Sequence, residues 1–184
     1  MSGPDGPRAN IEIKARLRDV DAAARTAQEL GARGMGADRQ VDTYFRVPTG
    51  RMKLRESLFT GEQLILYLRP DEPGPKRADY EVIPVPKGGR AKELLTALFG
   101  VEVVVEKVRR LHVVGDTRIH LDTVAGLGDF LELEAVYLHG DPTAERAARL
   151  DVDRLVNVFG VRPADLVSHS YRELKMGTFP FPPI

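Results

Sequence analysis

The chain has no cysteine. That excludes disulfides, thiolate metal sites and a cysteine nucleophile. It has no excess of either charge: 27 basic residues balance 27 acidic ones. A non-specific nucleic-acid or membrane surface would usually be strongly basic, so neither is expected as a partner. No apolar run reaches membrane-spanning length, and the first residues lack the apolar core of a signal peptide. The expectation is a soluble, cytoplasmic protein. No repeat and no second domain break the 184 residues. The reading is a Gly/Pro-rich flexible lead over 1–8, a single domain over 9–177 and an irregular tail over 178–184, with a hairpin loop at 70–76.

What is present is alternation. In Asn10-Ile11-Glu12-Ile13-Lys14 the polar residues share one strand face and the isoleucines the other. Arg51, Lys53 and Arg55 alternate with Met52 and Leu54, and Ile65, Tyr67 and Arg69 with Leu64, Leu66 and Leu68. Arg77, Asp79 and Glu81 alternate with Ala78, Tyr80 and Val82. Lys107 and Arg109 extend an apolar run from Val101. Arg118, His120 and Asp122 alternate with Ile119 and Leu121, and Glu132 and Glu134 with Leu131, Leu133 and Ala135. These period-two segments predict strands bounded by Gly, Pro and Asp turns. Helices are predicted from Asp19 to Gly31, Arg90 to Gly100 and Pro142 to Gly160, with a fourth from Pro163 to about Leu174. Their Leu, Val and Ala faces would cover the aliphatic strand faces.

Each charged row alone suits a half-buried sheet with one face in water. As a set, some strands carry cations and others carboxylates. Closed into a barrel with that face inward, they would line a polar tunnel suited to a polyanion and a divalent metal. Lys14, Lys53, Arg55, Arg69 and Arg109 are the phosphate candidates, since Arg offers a planar fork and Lys a point charge. Lys107 shares a face with Arg109, whereas Arg110 points away; Arg77 and Arg118 are further wall candidates. Asp122, Glu132 and Glu134 are the metal candidates, because close carboxylates repel one another unless a cation intervenes. Glu12 is either a further ligand or a bridge to Lys14. Four histidines (112, 120, 139 and 169) show no shared metal spacing, and Ser170 has no base placed to make it a nucleophile.

Asn10 to Lys14 resembles the Glu-x-Glu-x-Lys signature of the CYTH superfamily, the triphosphate tunnel metalloenzymes. Arg51-Met52-Lys53-Leu54-Arg55-Glu56, Leu66-Tyr67-Leu68-Arg69, Glu106-Lys107-Val108-Arg109 and the Asp122 to Glu134 block resemble its later basic and acidic strands. Gly126-Leu127-Gly128-Asp129-Phe130 and Ser170-Tyr171-Arg172-Glu173-Leu174 are similar to its class IV adenylate cyclase branch. The resemblance implies an α+β fold: a closed eight-stranded antiparallel β-barrel with helices outside. It also implies a homodimer that binds ATP or another triphosphate in the bore with Mg²⁺ or Mn²⁺. Lys14, Lys53 and Arg55 would be catalytic, and Arg69, Arg77, Lys107, Arg109 and Arg118 would bind substrate. Glu12, Asp122, Glu132 and Glu134 would hold metal. The implied reaction is ATP to cyclic AMP and pyrophosphate. Inorganic tripolyphosphatase, thiamine or nucleoside triphosphatase, and a non-catalytic triphosphate or polyphosphate sensor are the alternatives. Asn10 stands where the family signature has Glu, which weakens a second metal site, because an amide offers one neutral carbonyl oxygen.

Overall fold

The structure, a computed structural model, describes residues 8–68 and 76–177, without the side chains of residues 8 and 76–79. The expected lead, tail and 70–76 loop therefore lie outside the described residues, except that Arg8 already opens the first strand and Lys76 the fifth. The elements are β1 (Arg8–Arg16), α1 (Val20–Glu29), β2 (Arg33–Phe45), β3 (Arg51–Ser57), β4 (Gly61–Leu68) and β5 (Lys76–Val85), followed by α2 (Ala91–Phe99). Then come β6 (Val101–Val114), β7 (Thr117–Val124), β8 (Gly128–Leu138), α3 (Pro142–Val158), a 3-10 turn (Pro163–Asp165) and α4 (Tyr171–Met176).

Every strand pairing is antiparallel, in the order β1-β5-β4-β3-β2-β6-β7-β8 and back to β1. The return is short. Only Asn10, Ile11 and Glu12 of β1 pair with β5, whereas β1 pairs with β8 along its whole length from Arg8 to Arg16. The expected closure is thus confined to one seam; elsewhere the eight strands form a strongly curled sheet around a bore.

Alternation decides what lies on each side of that sheet. Ile11, Ile13, Ile119, Leu121, Leu131 and Leu133 point outward and are buried beneath α1 and α3, which contribute Ala23, Ala27, Ala148, Val152 and Leu155. Both helices start where an aspartate accepts two free N–H groups: Asp19 from Asp21 and Ala22, and Asp141 from Thr143 and Ala144. The far wall is covered less. There Phe45, Met52 and Leu54 pack with Leu64, Leu66, Val85 and Leu95. None of the residues of α2 is buried, and Leu98 is 74% exposed. Of the apolar residues expected to seat α2, only Leu95 packs on the sheet; Leu94, Leu98 and Phe99 face solvent, as does Leu150 on α3.

Three further expectations change. The strand β2 lies in a segment expected to be neither strand nor helix. The fourth helix is not continuous: after the Pro163 turn the chain runs extended along β1, with Val167 N–H donating to the Lys14 carbonyl at 2.8 Å. It turns helical only at Ser170, whose side chain and that of Glu173 cap each other's backbone N–H. On β5 the inward phase is Tyr80 and Val82, with Glu81 exposed. Arg77 pairs opposite Ile11 and Lys76 opposite Glu12, and their side chains lie outside those described.

Candidate active site

A cavity of about 570 Å³ occupies the bore. Five of the expected cations line it: Lys14 from β1, Lys53 and Arg55 from β3, and Lys107 and Arg109 from β6. Each Lys-x-Arg pair is anchored by an aspartate lying directly opposite the arginine on the neighbouring strand. On one wall Asp42 of β2 accepts from Arg55 Nε at 2.7 Å, Arg55 Nη2 at 2.8 Å and Lys53 Nζ at 2.8 Å. On the other, Asp122 of β7 accepts from Arg109 Nε at 2.7 Å, Arg109 Nη2 at 2.5 Å and the Tyr171 hydroxyl at 3.0 Å. Lys107 stands between them, 3.9 Å from Asp42 and 3.7 Å from Asp122. Both aspartates are buried, and neither is among the cavity's lining residues. The cations therefore face the cavity and their counter-charges lie behind them.

This stacking sets the titration. Burial alone would raise Asp42, but Arg55, Lys53 and Lys107 hold it well below the usual carboxylate range. Asp122 is held low against burial by Arg109 and Lys107. Burial, with Arg55 beside it, brings Lys53 down to about 7; burial and Arg109 bring Lys107 down to about 8. The arginines keep their charge, since guanidinium does not lose its proton in proteins.

The acidic wall comes from β8. Glu132 pairs with Lys14 at 3.0 Å and with Arg109, and these two cations keep it ionised against burial. Glu134 accepts from Asn10 Nδ2 at 2.8 Å and faces Arg118 at 3.3 Å. His120 lies between the two glutamates, 3.6 Å from Glu132 and 3.9 Å from Glu134. Burial, then Arg109, pushes its pKa down. Arg118 is at the rim, its side chain 44% exposed.

The end of the bore beyond Lys14 is stoppered by α4. Tyr171 packs edge-on to Phe130, with ring centroids 5.0 Å apart, and joins Tyr44, Val105, Val124 and Leu174 in an apolar cluster. Lys14 Nζ lies 4.3 Å and Lys107 Nζ 5.2 Å from the centre of the Tyr171 ring. Glu173 ties the helix to Arg51, and Arg172 ties it to Glu102. Ser170 gives its hydroxyl to Glu173 at 2.8 Å, so it is a cap and not a nucleophile. Gly126, in the β7–β8 turn, has φ +74° and leaves room beside Lys175 Nζ. The two segments resembling the cyclase branch therefore meet in space at this stopper.

Glu132 and Glu134 offer carboxylate oxygens, the donor type a hard divalent cation takes. Glu12 pairs directly opposite Glu134, and Glu132 follows on the same face. The buried Asn10 Oδ1 beside them has no hydrogen-bond partner. These oxygens suit Mg²⁺ or Mn²⁺. Among the described residues no three His, Asp or Glu side chains form a metal cage by themselves. Asp122 accepts from Arg109 and Tyr171, and Glu132 is paired with Lys14 and Arg109, so either carboxylate would share its oxygens between these partners and a metal.

The structure thus brings together Lys14, Lys53, Arg55, Lys107, Arg109, Glu12, Glu132 and Glu134, with Arg118 at the edge. Arg69 lies outside the described residues. Arg110 points outward to Asp21, and Arg16 passes the bore, its guanidinium 5.2 Å from the Phe130 ring centre. Sequence reasoning missed Asp42, Tyr44 and Tyr171. The alternation of Asp38, Gln40, Asp42 and Tyr44 was the available signal for the first two.

The adenylate cyclase CyaB of Aeromonas hydrophila is 28% identical over 178 residues, which is 91% of this chain and 88% of that protein. The PH1012 protein of Pyrococcus horikoshii OT3 superposes with a TM-score of 0.69 at 26% identity, covering 90% of this chain and 98% of the other. A suggested adenylate cyclase from Vibrio parahaemolyticus shares the fold with a TM-score of 0.73 at 23% identity, covering 94% and 100%. The CYTH domain model matches residues 8–162. The chain belongs to the CYTH domain family.

Proposed function

We propose that this chain is a divalent-metal-dependent enzyme acting on a triphosphate in its bore, and that it converts ATP to cyclic AMP and pyrophosphate. One observation carries the reading: five cations, each with its counter-ion behind or beside it, converge on one cavity. The likeness to the Aeromonas adenylate cyclase favours cyclisation over hydrolysis. The fork of Arg55 is fixed by Asp42 and that of Arg109 by Asp122, so neither needs to reorganise when phosphate charge shifts. Lys53, Lys107 and Lys14 add point charges along the phosphate chain. The ribose 3′-oxygen attacks the α-phosphorus and the bond to the pyrophosphate oxygen breaks; Lys and Arg stabilise the charge that leaves. Mg²⁺ or Mn²⁺ held by Asp122, Glu132 and Glu134, with Glu12, would supply neutralisation of the phosphate oxygens. No side chain is assigned as general base. A fully closed tunnel, one domain over 9–177, a homodimer and a cytoplasmic location belong to the same reading. Among the described residues no helix is long and apolar enough to cross a membrane.

The test is to incubate the protein with Mn²⁺ and either ATP or tripolyphosphate and to separate the products by chromatography. Cyclic AMP and pyrophosphate from ATP are expected, with slower phosphate release from tripolyphosphate. ADP and phosphate as sole products, or faster tripolyphosphate turnover, would leave a triphosphatase. Tight binding without turnover would leave a sensor.

A further inference from the structure

One wall of the cavity is uncharged: Ile65 and Gln63 line it opposite Lys53 and Arg55 in the register, Val82 lies beside Ile65, and Phe59 and Thr60 stand at the turn beyond them. Phosphate chemistry needs none of these. Phe59 sits at the tip of the β3–β4 turn and is 56% exposed, yet the backbone beneath it is pinned. The buried carboxylate of Asp38 accepts from the N–H of Leu58 at 2.9 Å and of Phe59 at 3.3 Å, from Ser57 Oγ at 2.6 Å and from Gln40 Nε2 at 2.7 Å. Ser57 Oγ in turn accepts from the N–H of Phe59 and Thr60. Across from it, Gly36 gives the ring room: a Cβ there would lie 3.2 Å from Phe59 Cζ. Beside the ring, the Thr60 hydroxyl donates to Gln63 Oε1 at 3.1 Å, which leaves the Gln63 amide nitrogen with donors to offer. A buried carboxylate is thus committed to holding an exposed aromatic ring at the entrance to an anion site. A flat apolar face with an amide donor at its edge suits a planar heterocycle.

We propose that Phe59, with Gln63 beside it, is the base-recognition element of the bore, so that this chain selects a nucleoside triphosphate over inorganic tripolyphosphate. The proposal rests on the triphosphate reading above and places the phosphates at the inner cations and the base at the mouth. The test is calorimetric titration with α,β-methylene-ATP and with tripolyphosphate, each with Mg²⁺, for the unaltered protein, Phe59→Ala and Phe59→Tyr. Phe59→Ala should weaken the nucleotide about tenfold, the worth of one base–aromatic stack, and leave tripolyphosphate unchanged. Phe59→Tyr should restore nucleotide affinity. Because the ring is exposed, the fold should survive both substitutions, as near-unchanged melting would show. Equal effects on both ligands, or none, would overturn the proposal. So would an unaltered protein that binds tripolyphosphate as tightly as the nucleotide, an outcome that leaves the triphosphate reading standing. Binding of neither ligand would remove both.

Discussion

The two Lys-x-Arg trios look alike in register and differ in what surrounds them. Asp42 serves Lys53 and Arg55 and stands near Lys107. Asp122 serves Arg109, but Arg109 also binds Glu132, and Asp122 also takes the Tyr171 hydroxyl. The first trio is a cation pair on a single anchor. The second is a node joining β6, β7, β8 and α4. The same motif therefore presents charge on one wall and ties the wall to the stopper on the other.

On that difference, Arg109→Ala is the most damaging single change. It strips the buried Asp122 and Glu132 of their shared guanidinium, a loss of about 3–5 kcal/mol for a broken buried pair. Arg55→Ala leaves Asp42 still paired with Lys53, so its stability loss should be clearly smaller. Urea midpoints of the two variants decide it, and equal losses would erase the distinction between the trios. In activity, Arg55→Ala should cost about a hundredfold in kcat/KM, since it removes one prearranged donor. Arg55→Lys should not restore it, because an ammonium cannot reproduce the two-pronged grip on Asp42.

Acidity probes both trios at once. With Lys53 at about 7 and Lys107 at about 8, triphosphate affinity should fall by about tenfold or more from pH 7 to 9, as the ammoniums are lost. Stability should run the other way. Both folded values lie below the lysine value of 10.5, so the unfolded chain holds more protons between about 7 and 10.5. The lysines' contribution to the stability of the ligand-free protein therefore rises with pH through that window. Calorimetric binding constants and melting temperatures across the range should diverge, and Lys53→Arg should flatten the lower part of the binding profile.

The smallest effect concerns Asn10. Its amide donates to Glu134, so Asn10→Glu replaces a donor with a second negative charge. Without metal the variant should lose about 1 kcal/mol. With Mn²⁺ it should reach half-saturation at a several-fold lower metal concentration, read as the melting shift on titration. An unaltered titration would place the metal away from Asn10.

Much of this arrangement was legible from alternation. Rows of Ile and Leu on β1, β7 and β8 fixed the inner face there, and with it Lys14, His120, Glu132 and Glu134, because α1 and α3 need an apolar floor. On β2 the outward positions are Arg39, Val41 and Thr43, a mixed row in which only Thr43 is buried, and the register shifts between Gly34 and Gly36 and again between Tyr44 and Phe45. The period was blurred, and Asp42 and Tyr44 went unseen. On β5 the outer face is nearly bare, so Glu81 can face water and Tyr80 can face the bore, the reverse of the pattern expected for a covered sheet. Asp122 was placed on the correct face, but its grip on Arg109 was not foreseen. Alternation reveals the side a residue faces, not that a longer arginine from the next strand will lie over it.

The stopper has a kinetic corollary. With α4 packed across the inner end, exit by the Phe59 mouth is the expected route. Under the proposed reaction the cyclic nucleotide stands in front of the pyrophosphate and must depart first. Release is then ordered, and pyrophosphate, bound last to leave among the inner cations, should compete with ATP in product-inhibition kinetics, whereas cyclic AMP should not.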